Sequence, residues 1–171
     1  MTSQAVTEQS LDILKQAILL ERRGYEFYKK VANQAENPQV QAFFNDLAQE
    51  EVGHIKILSA QFKAFNKNGH FDVNLFEDQE DCKICKEVLD QEIKDKIAAA
   101  SFEASAITAA ISMEKRAVDL YSKQAKEAQD VEEKKMYAWL ADFERGHLKN
   151  LMAIDQDLHD SVWEDNNFWP F

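Results

Sequence analysis

Glu51-Val52-Gly53-His54 and Glu144-Arg145-Gly146-His147 are two copies of one ExxH pattern. A lone glutamate stands 30 residues before each, Glu21 before the first and Glu114 before the second, so that all three positions repeat at an offset of 93. On a helix, the Glu and His of an ExxH lie one turn apart on the same face and can reach a common ion. Four carboxylates and two imidazoles in matched sets are the ligand shell that a pair of transition-metal ions needs.

The repeat extends beyond these six residues. Glu21-Arg22-Arg23-Gly24-Tyr25-Glu26-Phe27-Tyr28 aligns without a gap with Glu114-Lys115-Arg116-Ala117-Val118-Asp119-Leu120-Tyr121. Leu47-Ala48 likewise aligns with Leu140-Ala141, Lys56 with Lys149 and Leu58 with Leu151. An isolated ExxH is common on charged helix faces and is most simply a solvated or ion-paired pattern, but a duplicated set with a glutamate at constant distance is not. The chain reads as an internally duplicated helix pair.

Spacing around these positions predicts four long helices. Leu11, Leu14, Ile18, Glu21, Tyr25, Tyr28 and Ala32 recur at steps of three or four, which puts them on one face of a first helix starting near Thr7 to Ser10 and ending at about Asn33. Asn37-Pro38 is an N-cap followed by a proline at the first helical position, and opens a second helix through Phe43, Phe44, Leu47, Glu51, His54, Leu58 and Phe62 to Asn68-Gly69. A third helix is predicted over Ala98 to Ala128, with Ile107, Ile111, Glu114, Val118 and Tyr121 inward. Asp130, the counterpart of Asn37, caps a fourth that carries Met136, Tyr137, Leu140, Glu144, His147, Leu151 and Ile154, and Glu133 completes a capping-box pattern.

With four glycines and two prolines in 171 residues, little interrupts such helices. The fold class is therefore all-α: a four-helix bundle in one domain over 1–171, made of a helix pair at 7–68, a crossover at 69–97, a second pair at 98–158 and an aromatic tail at 159–171. The short turns within each pair make antiparallel hairpins, and the long connection can run the height of the bundle as a ferritin-like crossover does. Residues 84–97 within it have helical spacing through Ile84, Val88, Ile93 and Ile97.

A net charge of −11 disfavours nucleic acid, which selects clustered Lys and Arg, and suits a protein whose field draws in cations. The N-terminus lacks a basic segment followed by an apolar one, and no stretch reaches the roughly 18 apolar residues of a membrane span, so a cytoplasmic protein without a membrane partner is expected.

Placed on helix faces, the repeated residues form one site. The ExxH carboxylates Glu51 and Glu144 can bridge two ions, with Glu21 and His54 ending one side and Glu114 and His147 the other. Four carboxylates also balance two divalent charges. Oxygen and nitrogen donors suit two iron ions, with manganese or zinc also accepted. Tyr28 and Tyr121, two turns after the lone glutamates, either bond to the ligand carboxylates from behind or are ordinary core residues. Cys82-Lys83-Ile84-Cys85 is a dithiol couple, half of a thiolate metal site completed by another chain, or an incidental pair. His70 and His159 belong to no such pattern and are read as surface residues.

The order Glu, ExxH, Glu, ExxH, with a tyrosine two turns after each lone glutamate, resembles the ferritin-like superfamily and most of all its rubrerythrin branch, over about residues 10 to 155. The resemblance implies a diiron centre on Glu21, Glu51, His54, Glu114, Glu144 and His147. It also implies an oxidoreductase that reduces hydrogen peroxide or dioxygen, an external electron donor such as a rubredoxin-like protein, and a homodimer or larger homo-oligomer. Ferroxidation with iron storage, or a metal-stabilised interaction module, are the alternatives. The chain departs from typical rubrerythrins at Ile111, where they carry an additional glutamate one turn before the third-helix ligand, and at His147, where they commonly have a second glutamate. It also lacks the paired CxxC motifs of a rubredoxin domain.

Overall fold

The structure, a computed structural model, describes residues 3–76, 91–99 and 101–165. Its helices are α1 (Ser3–Gln34), α2 (Pro38–Asn68), α3 (Gln91–Ala99), α4 (Ser101–Glu127) and α5 (Val131–Asp165), with a 3-10 turn at Val73–Leu75. All are helical, as the spacing predicts. α1 begins at Ser3 instead of near Thr7, and α5 runs on to Asp165, past the predicted start of the tail at 159. The helix predicted over Ala98 to Ala128 is described as α4 from Ser101 to Glu127, with α3 ahead of it to Ala99 and residue 100 outside the described residues. Cys82 and Cys85, the 84–90 part of the predicted crossover helix, the side chains of 161–165 and all of 166–171 in the aromatic tail lie outside the described residues.

Two caps define the hairpins. Asn37 Oδ1 accepts from the backbone N–H groups of Gln39 (2.9 Å) and Val40 (3.3 Å), satisfying donors that the first turn of α2 leaves free, while Pro38 has none to lose. Asp130 does the same at the start of α5, accepting from Glu132 (2.8 Å) and Glu133 (2.9 Å). α2 ends on Gly69 at φ 76°, a left-handed conformation open to glycine, and its N–H closes on Phe65 O at 2.8 Å.

α1 packs chiefly against α2 and α4 against α5. Their apolar side chains form two clusters. The first contains Tyr28, Val31, Phe44, Leu47, Ile107, Leu151 and Ile154, and the second Leu14, Ala17, Ile57, Leu58, Tyr121, Met136, Tyr137 and Leu140. The repeat offset exchanges them: Leu47 of the first corresponds to Leu140 of the second, Ile107 to Leu14, and Leu151 to Leu58. An approximate two-fold axis therefore crosses the bundle between the clusters. Phe71 and Phe76, just after α2, belong to the second cluster, and Ile97 of α3 to the first.

The inward face of α1 differs from the predicted stripe. Ser10, Leu14, Ala17, Glu21, Gly24, Tyr28 and Val31 are buried, whereas Leu11, Ile18 and Tyr25 are only partly covered. Glu133 also departs from expectation. Its carboxylate accepts from Ser10 Oγ at 3.1 Å and does not complete a capping box, while its other oxygen is buried without a partner.

Burial raises Glu133 to about 7, against the favourable effect of the Ser10 hydroxyl and with a smaller contribution from Asp130. The folded chain thus holds a proton that the unfolded chain releases near the ordinary value of 4.5. Folding takes up that proton between the two values, so this group's contribution to stability falls as pH rises through the window. Thermal unfolding of wild type and Glu133→Gln across pH 4.5 to 8 is expected to show the variant gaining relative stability as pH rises, since a neutral amide has no proton to lose.

Candidate metal centre

Between the two apolar clusters lies a layer of ionisable side chains. Glu21 from α1, Glu51 and His54 from α2, Glu114 from α4, and Glu144 and His147 from α5 are all buried. Each long helix thus contributes to the layer, as the repeat predicts. Their donor atoms gather into two groups, Glu21–Glu51–His54–Glu144 and Glu51–Glu114–Glu144–His147, each able to bring one atom per residue within 4.8 Å of the others. Glu51 and Glu144 belong to both.

Within the first group His54 Nδ1 is 3.1 Å from Glu21 Oε2, 2.8 Å from Glu144 Oε1 and 3.7 Å from Glu51 Oε2. Only the contact to Glu21 has hydrogen-bond geometry; Glu144 Oε1, though nearer, is left without an aligned donor. In the second group His147 Nδ1 lies 3.2 Å from Glu144 Oε2 and 3.8 Å from Glu114 Oε1. The tyrosines act across the two-fold axis: Tyr121 donates to Glu21 Oε1 and Tyr28 to Glu114 Oε1. Both are fully buried, so each supplies a directed donor as well as core volume.

Burial pushes Glu51 well above the usual carboxylate range, and repulsion from Glu21 and Glu144 pushes it further. Glu114 is raised by burial and by Glu144, with His147 opposing. Glu144 goes the other way: burial raises it, but His54 and His147 together hold it well below the usual range. Burial favours neutral imidazoles, yet the surrounding carboxylates outweigh it, raising His54 and taking His147 to about 10. Tyr28 and Tyr121 are raised by burial and then by Glu114 and Glu21 respectively, so both keep their phenolic protons.

These directions test whether the residues suit a pair of cations. Without one, the layer is held together by protons on imidazoles and carboxyls, and still leaves Glu144 Oε1 unaligned. Oxygen and nitrogen donors with two shared carboxylates fit two divalent ions in place of those protons. Gly24 adds room: a Cβ there would stand 3.1 Å from Glu51 Cδ, so the carboxylate packs against bare α1 backbone. Along the seam between α1 and α4, Leu20, Gly24, Met113 and Ala117 border a space of about 10 Å³ beside Glu21, Glu51, Glu114 and Glu144, about the volume one water needs.

Glu50 was missed in the sequence. It accepts from His147 Nε2 at 2.5 Å, and its adjacency to Glu51 is the only signal that could have marked it. Ile111, which stands where the resemblance places an extra glutamate, is buried in the apolar cluster. His70 and His159 are exposed, as predicted. Among the described residues no helix is long and apolar enough to cross a membrane.

No curated protein and no solved structure gives a significant match to the chain. The sequence profile of the rubrerythrin family does match, over residues 12–155, which takes in all six residues of the buried layer and both tyrosines. The chain belongs to the rubrerythrin family.

Proposed function

We propose that the chain is a non-haem diiron redox protein that reduces hydrogen peroxide or dioxygen, with Glu21 and His54 holding one ion, Glu114 and His147 the other, and Glu51 and Glu144 shared. The observation that supports this most is the pair of four-residue groups with two carboxylates in common. When bound, the ions supply two electrons, which with two protons convert a peroxide to two waters, and an external reductant such as a rubredoxin-like protein restores them. We place this activity in the cytoplasm, in a homodimer or larger homo-oligomer.

The chain's own residues prepare the site in three ways. Tyr28 and Tyr121 fix one oxygen each of Glu114 and Glu21, which orients both carboxylates at little further entropic cost and leaves Glu21 Oε2 to face His54. The apolar clusters on both sides exclude bulk water from the layer. The space at the α1–α4 seam, about one water in volume, lies beside Glu21, Glu51, Glu114 and Glu144.

Stopped-flow mixing of the diferrous protein with peroxide and, separately, with oxygen is expected to show oxidation of the iron by at least one; inertness to both would overturn the redox reading. Replacing Glu51 and Glu144 together by Ala is expected to lower bound iron below two per chain, measured by metal analysis. Tyr121→Phe removes the donor to a buried carboxylate and is expected to cost about 1–3 kcal/mol of stability in the metal-free protein, read by denaturant unfolding.

A further inference from the structure

The two half-repeats agree at the six buried residues and differ immediately behind them. Glu50 and Phe143 are equivalent by the repeat offset, yet one is an acid and the other an aromatic. Glu50 Oε2 lies 2.5 Å from His147 Nε2, with its side chain only 13% exposed. Phe143 stands edge-on to His54, with ring centroids 4.5 Å apart and planes at 88°, and is farther from His147 at 5.4 Å. Trp139 adds a second edge contact to His54 at 5.9 Å. His54 Nε2 is buried among these rings with no hydrogen-bond partner.

Both histidines turn Nδ1 toward the carboxylates, so the difference lies wholly on the far nitrogen. A carboxylate there holds the hydrogen on Nε2, leaves the Nδ1 lone pair for an ion, fixes the ring's orientation and makes it a stronger donor. An aromatic edge does none of this, and an N–H buried without an acceptor is a cost to the same tautomer. We propose that Glu50 is a positioning residue that makes the two metal positions unequal, with the His147 half binding its ion more tightly than the His54 half. This rests on the dimetal reading above.

The test uses zinc and the whole chain. Only four histidines are present, so the imidazole nitrogens of ¹⁵N-labelled protein can be followed individually by NMR during titration with Zn²⁺, with affinities taken from calorimetry. The expected result is two binding steps separated by about tenfold or more, with His147 shifting in the first and His54 in the second. Glu50→Gln, which keeps the shape and removes the charge, is expected to weaken the first step by about tenfold and leave the second nearly unchanged. A purely structural role for Glu50 would lower thermal stability without closing the gap between the steps. Equal affinities in wild type, His54 shifting first, or a gap unchanged in Glu50→Gln would each overturn the inference. Fewer than two zinc ions bound by the folded wild-type chain would overturn the dimetal reading itself, and the inference with it.

Discussion

The fold is organised around one costly arrangement: four carboxylates and two imidazoles withdrawn from water in the middle of a helical bundle. Burying an unpaired ion costs several kcal/mol even after relaxation, whereas a fully buried Leu or Phe returns about 1.5–3 kcal/mol. No single apolar neighbour can offset such a charge, so the layer must be satisfied from within, and its details follow from that need. The imidazoles sit among carboxylate oxygens, the tyrosine hydroxyls point at Glu21 and Glu114, and two histidines at once hold Glu144 in its charged form.

The internal repeat supplies this with economy of parts. One hairpin, used twice and turned over, provides three residues of the layer from each copy, an apolar cluster on either side, and a tyrosine that reaches across to the other copy's glutamate. The copies have diverged where the two-fold relation does not constrain them. Tyr137 stacks on Tyr121 where Phe44 stacks on Tyr28, and buried Glu133 corresponds to Val40. Symmetry is strict at the donors and relaxed around them.

Much of this could be read from residue types and spacing. The layer was legible because Glu and His at a constant offset have few other reasons to recur, and the hairpin turns because Asn37-Pro38 and Asp130 carry their capping function in their side chains. The inward face of α1 was less legible. Ser10, Ala17 and Gly24 are buried, Gly24 against the Glu51 side chain and Ser10 beside Glu133, but small or polar residues give no hydrophobic signal. Glu50 and Glu133 look like surface charges on an acidic chain until the partners brought by another helix, His147 and Ser10, are known.

The seam between α1 and α4 has a mechanical meaning as well. Packing is extensive within each hairpin and sparse between these two helices. Yet each of the two donor groups draws on both hairpins: Glu144 joins Glu21, Glu51 and His54, and Glu51 joins Glu114, Glu144 and His147. An ion held by either group would act as a clasp between two stiff levers, tying residues that are distant along the chain. Parting the seam and releasing the ion then become one motion, and slowed hydrogen exchange along α1 and α4 would be its signature.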